Sequence, residues 1–233
     1  MKNIAFIPVR SGSTRLKKKA LSYIQEDTLL SIAIKKSIKA NCFDEVICMG
    51  DSDEFRKISF ENDIKYIERD PLTASNDASA DQVVNEIIQK TSSDNIFWVN
   101  ITHPFTKIET LDKAVKKLSC ESDIIDSLFT VHNWHGHASF ASNFEKPLNF
   151  NADESFSQTQ SLDKIFLLTY GIMAWKSLNF LDRYKFSSGA MTNGKIGTLE
   201  VSRLESIWIK YQSDLEMVNE IVNKRNIWDF ICR

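Results

Sequence analysis

Five cations crowd one short stretch: Arg10, Arg15, Lys17, Lys18 and Lys19 lie within IPVRSGSTRLKKKAL, residues 7–21, and no acidic residue precedes Glu26. Inside it runs Ser11-Gly12-Ser13, a turn that follows an apolar run directly. Gly12 permits close backbone approach, and Ser11 and Ser13 add hydroxyl donors. Several N–H groups facing one way make an anion nest, to which Arg10, Arg15 and Lys19 add full charges and forked donors. The formal net charge of the chain is −2, so these cations are a local concentration. That argues for a small anionic ligand and against a nucleic-acid-coating or polybasic membrane protein. A nucleoside triphosphate, with about four negative charges, suits such a turn. The stretch is neither a G-x-x-x-x-G-K-[ST] loop nor a G-x-G-x-x-G turn. The plain alternative is a solvated basic loop.

The elements that must position this turn are legible. Asn3–Pro8 is a short apolar run of the kind buried on both faces of a parallel sheet. LLSIAIKKSIKANC carries a helical stripe, EVICMG reads as a second buried strand, and SDEFRKISFEND as a helix capped by Asp51 or Ser52. KYIE, a helix through SADQVVNEIIQK, the strand-like NIFWVNIT and a helix spacing Ile108, Leu111, Val115 and Leu118 follow in turn. This alternation predicts an α/β fold: a mostly parallel, Rossmann-like sheet wrapped by helices in three layers. The basic turn then falls at the carboxyl edge of the sheet, where such folds bind ligands. The period fades after DIIDSLFTVHN. An inserted arm of short antiparallel strands and loops, about 134–166, is expected within one domain spanning 1–233. LLTYGIMAW, KIGTLEV and SIWIK read as returning strands, and SDLEMVNEIVNKRNIWDF as a closing amphipathic helix.

At 233 residues, 42% hydrophobic and 26% charged, the chain can bury a sizeable core, which excludes wholesale disorder. Cys42, Cys48, Cys120 and Cys232 are scattered, so neither a zinc site nor a disulfide framework is indicated. The N-terminal apolar run is too short for a signal peptide or a membrane helix. The expectation is a reduced, cytoplasmic protein with no membrane insertion and no nucleic-acid partner.

Other groups allow two readings each. Asp51-Ser52-Asp53 either grips a metal, as in a D-x-D glycosyltransferase, or caps a helix. His132, His135 and His137 lie close enough to share a metal, or simply hydrogen-bond from a loop. His103 ends the strand-like run and either contacts ligand or satisfies a carbonyl. Asp77 either touches substrate or caps the helix starting near Ser79. The Phe-rich stretch 140–156 reads as lid or interface packing.

The opening stretch resembles the signature turn of cytidylyltransferases that activate acidic sugars: acylneuraminate cytidylyltransferase, typically IPARGGSKxIPxKN, and the 3-deoxy-manno-octulosonate enzyme, typically IPARxxSTRLPxKPL. Arg10, Ser13 and Lys19 match both, and Thr14, Arg15, Leu16 and Leu21 match the second. Lys17 stands where both usually have proline, and Ala20 where the first has a base-reading asparagine. Further on, ERDPLTASNDAS is similar to RRPxxLAxDTAS, with Arg69, Pro71 and Asp77 retained. WVNITHPFTKIETLDKAV is similar to LLQPTSPLRTxExIDxAI, with Asn100 at a base-reading glutamine. TYGIMAW resembles NGAIYI, with Tyr170 at the asparagine. The resemblance implies transfer of CMP from CTP to an acidic sugar, with pyrophosphate released and Mg²⁺ as cofactor, for surface glycan synthesis. It also implies a homodimer formed through the arm. By implication Arg10, Arg15 and Lys19 grip the triphosphate and stabilise the leaving group, while Ser11, Gly12 and Ser13 cradle phosphates. Arg69, Asp77, Ser79 and Asn100 fall to the nucleotide, and His103, Gln160, Tyr170 and Trp208 to a small anionic acceptor.

The resemblance breaks at the closing I-D-I-D, whose aspartates hold the family's metal. Here the residues are Ile207, Trp208, Ile209 and Lys210, and neither an indole nor an ammonium can coordinate Mg²⁺. Three readings follow. Other carboxylates (Asp77, Glu205, Asp214) hold the metal; Lys210 stands in for part of its charge and joins the catalytic cations; or the chain keeps nucleotide binding without transfer. Tyr170 and Trp208 suggest a reshaped acceptor pocket, suited to a smaller anionic substrate than a nine-carbon sugar acid.

Overall fold

In a computed structural model the described residues are 1–121, 124–140, 143–156, 158–187 and 189–225. β1 (Asn3–Pro8) is followed by a single 3-10 turn at Lys19–Leu21 and a small hairpin, β2 (Tyr23–Ile24) and β3 (Asp27–Thr28). Then come α1 (Leu29–Ala40), β4 (Glu45–Gly50), α2 (Asp53–Glu61), β5 (Lys65–Glu68), α3 (Pro71–Ala74), α4 (Ala80–Lys90), β6 (Asn95–Val99) and α5 (Ile108–Cys120). The second half holds β7 (Ser127–Trp134), β8 (Ser139–Phe140), β9 (Asn143–Pro147), β10 (Ile165–Lys176), α6 (Ser177–Tyr184), β11 (Ile196–Glu200) and α7 (Gln212–Arg225).

Seven strands make the central sheet, ordered β11-β7-β10-β6-β1-β4-β5. β10 alone pairs antiparallel with its neighbours, β6 and β7; the other pairings are parallel. Alternation along β1 sends Ala5 and Ile7 to one face, against α1, α2 and α5, and Ile4 and Phe6 to the other, against α4 and α6. Three layers follow from strands apolar on both faces, since each face needs its own cover. From β1 the chain steps outward to β4 and β5, then returns past β1 to β6. A crevice therefore opens between the carboxyl ends of β1 and β6, where the winding direction changes.

α7 packs Leu215, Val218 and Val222 on Leu16, Ile24 and Ile209, forming a third apolar cluster beneath the basic turn. One sequence expectation needs correction. SIWIK is not a strand: Ile209 is buried in that cluster, and its N–H donates to the Thr102 carbonyl (2.9 Å) without a ladder. Of the two caps read for α2, Ser52 is the one, accepting from the Phe55 N–H. The closing helix is described only to Arg225, so NIWDF and Cys232 lie outside the described residues. Cys42, Cys48 and Cys120 are free thiols. Among the described residues no helix is long and apolar enough to cross a membrane.

Candidate active site

A cleft of about 280 Å³ fills the crevice. Its floor is the end of β1 and its walls are the turn after β1, the β5–α4 connection, and the end of β6 with the β6–α5 loop. Arg10, Ser13, Arg15 and Lys19 face it from the first wall, Arg69, Thr73 and Ser75 from the second, and Trp98, Asn100 and Thr102 from the third. Among the described residues, none of the five opening cations makes an ion pair with a carboxylate. Arg10 reaches across to the Ser75 carbonyl (2.6 Å) and Lys19 to that of Ile209 (3.1 Å), while Arg15 is exposed. Burial holds the Lys19 pKa below the usual lysine range, helped by the charges of Arg15, Lys210 and Arg10 and opposed by Asp214. Like charges converge here, which is unfavourable until an anion arrives.

The cradle differs from the sequence reading in one part. The N–H and hydroxyl of Ser11 both donate to Asp51, at 2.7 and 3.1 Å, and the Ser13 N–H donates to the Ser11 carbonyl at 2.9 Å. Gly12 lies off the cleft, its nearest potential contact being Asn76. Asp51 therefore fixes the turn instead of gripping a metal.

Across the cleft Arg69 is buried, donating to the carbonyls of Val9 (3.2 Å) and Thr73. Its Nε is buried without a partner. Burial lowers its pKa, partly offset by Glu86 and Asp51. Glu86, itself buried, accepts from the Asp70 N–H (2.7 Å), the Thr73 hydroxyl and Lys90 (2.6 Å), and so ties α3 to α4. Ser79 forms a reciprocal capping box with Gln82 at the start of α4. That removes the capping role considered for Asp77, which is exposed and off the cleft.

Asn100 Oδ1 accepts from the Thr102 N–H (3.1 Å) and hydroxyl (2.8 Å), which leaves the amide nitrogen as its donor toward ligand. His103 is 2% exposed. Its Nδ1 meets the Thr102 hydroxyl at 3.1 Å, its Nε2 has no partner, and burial pushes its pKa down to about 4. It is a neutral ring behind the cleft wall, with Trp208 stacked nearly parallel on it at 6.3 Å.

Past the hydrogen bond from Lys19 to Ile209, outside the cleft lining, stand Trp208 and Tyr170. β10 carries an irregularity between Leu168 and Met173, stapled by hydrogen bonds between Thr130 and both Thr169 and Ile172. Within it Tyr170 adopts φ 59°, which turns its ring toward Trp208 at 6.3 Å. Lys210 Nζ lies 5.0 Å from the Trp208 ring. Gln160 is exposed on the arm, away from these residues.

The candidate carboxylates do not form a divalent-metal site. Glu205 is buried and committed, accepting from Lys107 N–H and the Thr110 hydroxyl on one oxygen and from Ser202 on the other. Asp214 accepts the N–H groups of Lys210 and Tyr211 at the start of α7. Among the described residues no three His, Cys, Asp or Glu side chains converge, which includes His132, His135 and His137. His137 stacks on Phe156 instead, at 3.8 Å.

A family model described as cytidylyltransferase matches residues 4–167. The chain belongs to the cytidylyltransferase family. Within it, the pseudaminic acid cytidylyltransferase of Campylobacter jejuni is 27% identical over 125 residues, 53% of this chain and 54% of that protein. The chain thus spans about half the length of the pseudaminic acid relatives it matches. The 3-deoxy-manno-octulosonate cytidylyltransferase of Geotalea daltonii is 26% identical, covering 97% of this chain and 100% of that one. Among solved structures, CMP:2-keto-3-deoxy-manno-octonic acid synthetase complexed with CTP has a TM-score of 0.71 at 16% identity, covering 96% of this chain. At that identity the likeness concerns the fold.

Sequence reasoning missed Trp98, Thr73, Ser75 and Thr102 as wall residues. Trp98 was readable only as an apolar strand position. Thr73 and Ser75 act through backbone carbonyls, which no side-chain pattern encodes.

Proposed function

We propose that the protein transfers CMP from CTP to a small sugar acid and releases pyrophosphate. The observation that carries this is the turn after β1: cations unpaired with carboxylates, converging at the carboxyl edge of the sheet, in a chain of this family. The acceptor's hydroxyl oxygen forms a bond to the α-phosphorus. The bond from that phosphorus to the bridging oxygen of the β-phosphate breaks, pyrophosphate leaves with the electron pair, and the hydroxyl proton passes to water. Arg10, Arg15 and Lys19 hold the triphosphate and offset the charge gathering on the leaving group, which is the main catalytic demand of such a transfer. Asn100 Nδ2 offers donors to the base, and Trp98 lends an apolar wall to the cleft.

The acceptor lies against Trp208 and Tyr170, two rings half open to solvent on the far side of Lys19. Their bulk favours a compact acid over an extended nine-carbon one. A product of this kind feeds surface glycan synthesis, and use of CTP places the reaction in the cytoplasm. We further infer a homodimer through the arm. Phe166, Leu167 and Leu168 are each more than 40% exposed on the end of β10 that pairs only with β7, and such an apolar free edge invites a partner.

The test is pyrophosphate release from CTP or UTP with a panel of sugar acids, beside nucleotide titrations. Turnover with CTP and one acid is expected. CTP binding with no turnover across the panel points to a nucleotide-binding relative, and no CTP binding at all ends the reading.

A further inference from the structure

Lys19 donates to the Ile209 carbonyl, next to Lys210, and the charges of Arg15, Lys210 and Arg10 all reach it. Lys210 Nζ has no ion pair among the described residues; it lies over two rings, Trp208 at 5.0 Å and Tyr211 at 5.6 Å. Trp208 is in turn braced by His103 at 6.3 Å and Tyr170 at 6.3 Å. An ammonium held on ring faces is oriented without being neutralised, so its charge remains for a ligand. The segment is fixed from both sides, Ile209 N–H on the Thr102 carbonyl and Ile209 carbonyl on Lys19. Asp214, whose charge reaches Lys19, is engaged by the backbone N–H groups of Lys210 and Tyr211.

We propose that Lys210, held on the Trp208 ring, completes a side-chain cation set that neutralises the bound triphosphate without a divalent ion. The inference rests on the CTP reading above and names how that site handles charge. The count is balanced: three cations of the opening turn line the cleft and Lys210 stands beside Lys19, four against about four negative charges on the triphosphate. Mg²⁺ at a phosphate is ordinarily held by one or two carboxylates besides water; here it would meet four positive side chains, and among the described residues Glu205 and Asp214 are already committed to other donors. Trp208 and Lys210 thereby act as one unit, the ring fixing where the charge sits.

The experiment is calorimetric titration of CTP into the full chain, in MgCl2 and separately in EDTA, with Lys210→Met and Lys210→Arg. The wild-type affinity is expected to agree between the two buffers within about threefold. In EDTA, Lys210→Met weakens CTP roughly tenfold or more, the loss of one charge-assisted contact, while Lys210→Arg stays near wild type. Thermal melts confirm that each variant is folded, and the wild-type comparison stands whatever the variants do. Loss of binding on replacing MgCl2 by EDTA, or a folded Lys210→Met that binds CTP like wild type, overturns the proposal and leaves the transfer reading intact. Failure of the wild type to bind CTP in both buffers overturns the transfer reading itself.

Discussion

Two of the three walls of the cleft carry arginine, yet they use it in opposite ways. On the β1 side Arg10, Arg15 and Lys19 sit on a turn whose backbone is fixed by other means: Asp51 holds Ser11, and Leu16 is buried beneath. Their charges are left without carboxylate partners. On the β5–α4 side Arg69 is buried, its donors go to the carbonyls of Val9 and Thr73, and Glu86 secures the same segment through Asp70 and Thr73. One wall leaves its charge open to a ligand; the other buries its arginine to hold its own shape. The difference teaches that a cation in a binding cleft must be read by its burial and partners before it is assigned to the ligand.

The sharpest way to break this contrast is to remove charge from the first wall. Arg10→Ala with Lys19→Ala is expected to weaken CTP about a thousandfold in titration, two charge-assisted contacts being lost. Stability in urea should change by less than about 1 kcal/mol, as for side chains outside the core. Unchanged CTP affinity would remove the ligand role of that wall.

His103 tests the brace behind the wall. Its pKa of about 4 in the fold lies below the ordinary 6.5, so between those values the unfolded chain binds a proton that the native one does not. Stability must then fall as pH drops from 7 to 4, by on the order of 3 kcal/mol from this group. His103→Phe keeps a ring against Trp208 and cannot charge, so its urea midpoint should depend less on pH. Equal pH dependence in both proteins counts against the buried neutral imidazole.

For the second wall, Arg69→Met is expected to cost about 2 kcal/mol in urea denaturation, because buried carbonyls lose their donors. CTP affinity then falls less than in the double variant of the first wall. A large affinity loss with no change in stability would reverse the assignment of the two walls. The smallest expected effect is at the acceptor rim: Tyr170→Asn tolerates the left-handed backbone. It should raise the acceptor KM several-fold, one aromatic contact being worth about 1 kcal/mol, and leave CTP binding unaltered. A shift in CTP affinity instead would place Tyr170 on the nucleotide.

Much of the frame was legible because it rests on local pattern. Asn3–Pro8, Glu45–Gly50 and Lys65–Glu68 are strands in both sequence and structure, and the stripe of Val83, Val84, Ile87 and Ile88 is the buried face of α4. SIWIK misled because an alternating apolar pattern reports burial, not the presence of a neighbouring strand edge. Glu205 and Asp214 looked like spare ligands because sequence shows a carboxylate and hides its partners.

By itself the sequence determined that cations gather behind the first strand of a parallel α/β sheet, since apolar period and charge type are properties of the chain alone. Which of those charges stay open was decided only by the tertiary structure. Asp51, Glu86 and Glu205 are each committed by residues brought in from other elements. Lys210 meets Trp208 and Lys19 only because Ile209 is pinned between Thr102 and Lys19. Electrostatic roles depend on distance in space, and distance in space is what folding sets.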